Sequence, residues 1–147
     1  MYKHILLPTD GSPLSARAAA EGIRLAKALG ARVTALHVIP PPTPIAIGRT
    51  RGVGYATLEE REALDQREAA KALGLVEKAA GAAGVPCKLE ALKGDYPAEA
   101  ILATAKKRRC DLILMASHGR RGLQALLLGS ETQKVLAHAT VPVIVHR

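Results

Sequence analysis

Hydrophobic positions along the chain change period repeatedly. Short continuous apolar runs rich in Val, Ile and Leu alternate with longer stretches in which apolar residues recur every three to four positions. The first pattern belongs to strands buried on both faces and the second to helices that bury one stripe, so their alternation predicts parallel βαβ units. His4–Pro8 predicts the first strand. Ser12 and Pro13 then predict an N-cap and first helical residue, with Leu14, Ala18, Gly22, Leu25 and Leu29 as the buried stripe and Gly30 as the stop. Arg32–Ile39 predicts the second strand. Pro40, Pro41, Pro42 and Pro44 forbid further ladder pairing because proline has no N–H, and the stretch from there to Tyr55 predicts a long excursion of the lid or binding-loop kind.

The second half repeats the alternation. Thr57 with Glu60 forms a capping box that opens a helix to about Ala83, using Leu64, Leu73, Val76 and Ala80 against the sheet. Cys87–Leu92 alternates polar and apolar residues, as an edge strand with one solvated face does. A helix follows Gly94-Asp95-Tyr96-Pro97, with Ile101, Leu102 and Ala105 facing inward. Asp111–Met115 is the most uniformly apolar run and predicts a central strand. A short apolar stretch, Leu123–Leu128, leads to Ser130 and Gln133, a second capping box for a helix carrying Val135 and Leu136; Val141–His146 closes as a strand. The expectation is one α/β domain over residues 1–147, without repeat or linker.

Composition narrows the function classes. The chain has no Phe or Trp and three Tyr, so its core is aliphatic and it lacks the aromatic platforms that bind single-stranded nucleic acid. A formal net charge of +8 predicts attraction to an anion: a phosphate ligand, an acidic partner or nucleic acid. The run Lys106-Lys107-Arg108-Arg109 reads as a solvated helix end, where cations complement the dipole, and no DNA-binding motif accompanies it. Cys87 and Cys110 match neither metal-ligand spacing nor a disulfide framework and read as core thiols; His4, His37, His138 and His146 show no metal-ligand spacing. The first apolar run is too short for a signal peptide or a membrane span, so a cytoplasmic protein without membrane attachment is expected.

Ligands of open parallel sheets bind beyond the carboxyl ends of the strands, where neighbouring connections diverge. Two turns suit that place. One is Pro8-Thr9-Asp10-Gly11-Ser12; the other begins at Ala116-Ser117-His118-Gly119-Arg120-Arg121-Gly122, the densest cluster of small and polar residues. Gly119, Gly122 and Gly129 let main-chain N–H groups approach an oxyanion, and Ser130 opens a helix whose free N–H groups and dipole favour phosphate. Each feature alone has a purely structural reading; their coincidence after the most buried strand predicts a phosphate site. Arg120 and Arg121 either reach phosphate oxygens or stand solvated. His118 has no serine, cysteine or carboxylate placed as its partner by the sequence, so it is expected to fix the loop, and no catalytic residue is assigned. Asp10 is either a turn residue bonding its own backbone or a carboxylate helping to place Mg²⁺.

These residues resemble the ATP-binding branch of the universal stress protein family. Its pattern, G-x2-G-x9-G-S/T, is matched by Gly119, nine residues, then Gly129-Ser130, with Ala116 replacing the first glycine. The likeness covers nearly the whole chain: Ile5–Ser12 looks like the family's opening strand and turn, Cys110–Met115 like its fourth strand and Val141–Val145 like its last. It implies a Rossmann-like, open five-stranded parallel sheet in the order 3-2-1-4-5 with helices on both faces, ATP between the first and fourth strands, and a homodimer paired through the last strand, 141–146. Carried over by position, Pro8, Thr9, Asp10 and the backbone around Val38 would border adenine and ribose. Gly119, Gly129, Ser130, Glu131 and Thr132 would hold ribose and phosphates, on a loop lined by Ala116, Ser117, His118, Arg120 and Gly122. Glu131 would serve through its backbone, because a carboxylate beside phosphates repels them.

The implied function is an ATP-binding stress-response or signalling module, with Mg²⁺ accompanying the nucleotide, that acts through occupancy and dimerisation on a protein partner the sequence does not identify. A slow ATP hydrolase or nucleotidyl-transfer enzyme is the alternative, with His118 and Asp10 as its evident groups. A nucleotide-free interaction module is the third reading, favoured by Ala116 and opposed by Gly119, Gly129 and Ser130. No G-x4-G-K-S/T is present, which disfavours a dedicated P-loop ATPase.

Overall fold

A computed structural model describes residues 1–41, 57–120 and 127–147. Five strands, β1 (His4–Pro8), β2 (Arg32–Ile39), β3 (Cys87–Lys93), β4 (Leu112–Ala116) and β5 (Val143–His146), form a parallel sheet in the order β3-β2-β1-β4-β5. Register is set by pairs such as Ile5↔Val33, Ile5↔Leu112, Val33↔Cys87 and Ile113↔Val143. Helices α1 (Pro13–Leu29) and α2 (Leu58–Ala83) pack on one face, over Ile5, Leu7 and Leu114; α3 (Pro97–Arg108) and α4 (Ser130–His138) pack on the other, over Leu6, Leu36 and Ile113. The expected order and layering are thus present.

Alternation along the strands sends neighbouring side chains to opposite cores. Leu6 and Leu7 are both fully buried, each contributing about 1.5–3 kcal/mol of burial. A Cβ on Gly22 would collide with Leu7, so the glycine in the α1 stripe fixes how closely that helix lies on β1. Ser12 caps α1 through the Ser15 N–H at 3.2 Å, and Thr57 and Glu60 form the reciprocal box that opens α2. Three helices end in a left-handed residue: Gly30 (φ 66°), Gly84 (φ 71°) and Arg109 (φ 54°).

Several expectations are corrected. Leu64 is 49% exposed, because α2, about 39 Å long by its 26 residues, overhangs strands of about 26 Å, and the buried positions begin only at Ala69. Leu136 is 42% exposed: it adjoins Val135, and successive helical positions lie about 100° apart, so only one faces the sheet. Ser130 is the first helical residue rather than the cap; Gly129 is the N-cap, and Gln133 donates from Nε2 to the Leu128 carbonyl instead of closing a box. β5 begins at Val143 rather than Val141, since Pro142 has no N–H for the ladder. Cys110 is buried, its thiol pushed up to about 11 chiefly by that burial, whereas Cys87 is only half-buried. The proline-led excursion from Pro42 to Tyr55, Arg121, Gly122 and most of the Leu123–Leu128 stretch lie outside the described residues.

Candidate functional site

The carboxyl ends of β1 and β4 open into the two turns marked by the sequence, and Asp10 joins them. Its Oδ1 accepts the Ser12 N–H at 2.9 Å, the self-turn expected of an aspartate before a helix, while Oδ2 accepts the Arg120 N–H at 2.8 Å from the other turn. Burial alone would push the Asp10 carboxyl up. The bonds from Ser12, Arg120 and Ser15 outweigh it and hold the group below the ordinary carboxylate value. A Cβ on Gly119 would collide with Asp10 Oδ2, so this position admits only glycine while the bridge is made.

Thr9 is anchored from three sides. Its N–H donates to the Leu36 carbonyl at 2.8 Å, its hydroxyl pairs with Ser15 at 3.0 Å, and its carbonyl lies 2.9 Å from His37 Nδ1. Ser15 and His37 were not marked as site residues by the sequence; both look like ordinary helix and strand positions there, and only their polarity at buried places hints at a supporting role. Pro8 ends β1 beside Leu36, and Val38 lies two residues further along β2, packed on the α3 side.

After β4 the chain leaves and returns. Gly129 N–H donates to the Ser117 carbonyl at 2.7 Å, and the Thr132 hydroxyl donates to the Ala116 carbonyl at 3.0 Å, so the start of α4 is tied to the end of β4. A Cβ on Gly129 would stand 3.1 Å from His118 Cα and 3.3 Å from the Ser117 carbonyl oxygen, which explains a small residue there. Ser117 Oγ lies 3.1 Å from His118 Nδ1, a serine partner that the sequence did not single out; no described carboxylate bonds the ring.

The start of α4 differs from that of the other helices. α1 and α2 carry side-chain caps, and at α3 Ala98 N–H donates to Glu131 Oε2 at 2.7 Å. Gly129 supplies no side-chain cap to α4, which leaves the first-turn N–H groups of Ser130, Glu131 and Thr132 to other acceptors. The Glu131 carboxylate is turned to α3 and to Lys134 (3.1 Å), while its backbone stays in the first turn of α4. Arg120 places its guanidinium 3.3 Å from Glu68 of α2 and over Gly11, so its side chain spans the mouth of the turn.

The structure therefore brings together Thr9, Asp10, Ala116, Ser117, His118, Gly119, Arg120, Gly129 and Thr132 at adjoining strand ends, with Ser130 and Glu131 opening α4. Such a place offers backbone donors and a positive dipole end to an anion. Among the described residues, no three His, Cys, Asp or Glu side chains are grouped to hold a metal, and no helix is long and apolar enough to cross a membrane.

Comparison with known proteins agrees with this architecture. The universal stress protein family model matches residues 1–147. A universal stress protein of Thermus aquaticus is 37% identical over 147 residues, covering 100% of both chains. The solved structure of universal stress protein UspA from Lactobacillus plantarum is 28% identical, with a TM-score of 0.76 over 99% of this chain and 98% of that one. The fold also recurs, at 21% identity and a TM-score of 0.69 over 99% and 98% of the two chains, in the universal stress protein from Archaeoglobus fulgidus in complex with dAMP. The chain belongs to the universal stress protein family.

Proposed function

We propose that the chain is an ATP-binding signalling module whose nucleotide lies across the carboxyl ends of β1 and β4. The observation that carries this reading is the first turn of α4, which has no side-chain cap, set beside the Asp10–Arg120 bridge: N–H groups at a helix start with no acceptor among the described residues, next to glycines whose Cβ atoms would crowd the site. In this reading Ser130, Glu131 and Thr132 hold phosphates through their N–H groups. Ser130 adds its hydroxyl, and Pro8, Thr9 and Val38 border the base and ribose. The dAMP-bound relative has the same fold, which makes an adenine nucleotide a sensible first probe; the assignment rests on this chain's own residues.

The residues fit such a ligand. Both oxygens of Asp10 already accept backbone N–H groups, so a Mg²⁺ ion would be carried by phosphate oxygens and water rather than by that carboxylate. Turning the Glu131 carboxylate toward α3 removes the repulsion it would otherwise exert. β5 is an edge strand whose Ile144 is 40% exposed, and pairing with a second copy would cover it, so the module is proposed to act as a homodimer.

Calorimetric titration with ATP and Mg²⁺ tests the reading. Saturable ATP binding that weakens by about a hundredfold or more in Gly129→Val is expected; affinity unchanged by that substitution would place the nucleotide elsewhere. Sedimentation at micromolar concentration tests the dimer, and a monomer alone would refute it.

A further inference from the structure

The opposite end of the sheet holds a feature that the proposed nucleotide site does not use. A cavity of about 480 Å³ opens at the amino ends of β1, β2 and β3, beneath the C-terminus of α3. Its lining includes His4, Arg32, Lys88, Lys107, Arg108 and Arg109, and no carboxylate. That volume lies within the range of small-molecule sites.

The cations converge because of how the chain is built. His4, Arg32, Thr34, Lys88 and Glu90 occupy alternate strand positions that register brings to the α3 side: His4 pairs with Arg32, and Thr34 with Lys88. The nearby carboxylates are already engaged. Glu90 accepts the Arg108 guanidinium at 2.8 Å, and Asp111 accepts the N–H groups of Lys3 and His4 at 2.8 and 3.0 Å. Arg32, Lys88, Lys107 and Arg109 remain exposed, with no ion-pair partner among the described residues.

Two details go beyond a solvated helix end. His4 is only 7% exposed; Nε2 lies 2.8 Å from the Thr34 hydroxyl, and Nδ1 has no hydrogen-bond partner among the described residues. Burial, then the charge of Arg32, holds this imidazole below its ordinary value, and His4 and Thr34 form a buried polar pair beside the Leu6 and Leu36 core. The second detail is Arg109. The equivalent left-handed caps of α1 and α2 are glycines, whereas α3 uses an arginine at φ 54°, a conformation in which Cβ crowds the following carbonyl. Glycine is absent from the position that would favour it, and a cation stands at the cavity rim instead.

We propose that this cavity is a second anion site, for a small polyphosphate group. The four unpaired cations, spread over two strands and a helix end, match several linked phosphates better than one. The concave shape and the absence of aromatic lining favour a compact ligand over a nucleic-acid strand. The phosphate chain has two sources, free inorganic polyphosphate or the tail of a nucleotide.

Inorganic tripolyphosphate is the probe, titrated calorimetrically into the full chain at low salt, both unmodified and as Gly129→Val so that the other end of the sheet does not contribute. Lys88→Glu with Arg109→Glu is expected to weaken binding by about tenfold or more, whereas Arg17→Glu with Lys27→Glu, the same change in net charge on α1, leaves it within about twofold. Equal weakening by both pairs, or no saturable binding in the unmodified chain, overturns the proposal. Arg109→Gly separates fold from ligand: the melting temperature rises as the crowded cap is relieved while tripolyphosphate binds less tightly. Unchanged binding in that variant also overturns it. ATP binding to Gly129→Val no tighter than tripolyphosphate identifies a free phosphate chain, and tighter binding identifies a nucleotide tail; both outcomes keep the site.

Discussion

The two ends of one sheet present positive potential in opposite ways. At the carboxyl end it comes from main-chain N–H groups at the start of α4, and the nearby glycines leave little slack: a Cβ at Gly119 would strike Asp10, and one at Gly129 would press on His118. At the amino end it comes from long exposed side chains around a wide cavity. Backbone donors held by a helix are already ordered, so binding them costs little conformational freedom, and their placement dictates where a phosphate sits. Lysine and arginine side chains must be ordered on binding and are screened by salt, so they attract anions without fixing them closely. The same net charge can therefore hide one selective place and one permissive one.

The largest effect expected from this difference is at Gly129. Valine there pushes His118 and the Ser117 carbonyl away from the start of α4, and loss of two charge-assisted hydrogen bonds, at about 1.5–3 kcal/mol each, should weaken ATP by about a hundredfold or more in a calorimetric titration. Tripolyphosphate at the other end should be untouched. Equal loss of both ligands would erase the distinction between the ends. Gly119→Ala is the milder version: its methyl displaces Asp10 Oδ2 from the Arg120 N–H, and loss of one such bond predicts about a tenfold weaker ATP complex.

Salt sharpens the comparison without mutation. Raising the ionic strength from about 0.1 to 1 M shortens the screening length from about 10 to 3 Å. Tripolyphosphate binding at the exposed cations should fall by about tenfold or more, and ATP binding should fall several-fold less, because its proposed contacts are short and include neutral donors. Parallel slopes for the two ligands would mean that diffuse charge governs both.

How much of this was legible in the sequence depends on the range of the interaction. The alternation of strands and helices, the Ser12 and Thr57 caps and the Gly30 stop follow from local pattern, and the structure agrees; the strand order, which no local pattern contains, came only from the family resemblance. The cap at α4 did not, because Ser130 and Gln133 spell a capping box whether the N-cap is Gly129 or Ser130, and the bond from Gly129 N–H to the Ser117 carbonyl settles the start. Leu64 and Leu136 have apolar side chains at helical spacing, yet their exposure is set by where the sheet ends, which no local window contains. Asp10 and Arg120 were each marked, but not their bond across 110 residues. The basic run at 106–109 looked like a helix end and is one; only the parallel register places Arg32 and Lys88 beside it.

The smallest expected effect concerns acid, and it compares one carboxylate from each end. Asp10 and Asp111 are both held below the ordinary aspartate value of 3.8 although burial pushes each upward, because both accept backbone N–H groups: Asp10 from Ser12 and Arg120, Asp111 from His4 and Lys3. A carboxyl whose folded value is depressed adds stability that is complete above its unfolded value and disappears as pH falls through the folded one. Melting temperature should therefore begin to fall as pH drops below about 4, with Asp10→Asn and Asp111→Asn each flattening the slope. The two variants should part company in binding. Asp10→Asn keeps one acceptor oxygen but puts an amide donor against the backbone N–H groups, loosening the Arg120 turn and weakening ATP. Asp111→Asn perturbs only the tie between the start of β1 and β4, far from that turn, and should leave ATP binding within about twofold while shifting the melting temperature as much. A loss of ATP affinity in Asp111→Asn equal to that in Asp10→Asn would mean that general loosening of the sheet, rather than the bridge at its carboxyl end, controls the nucleotide.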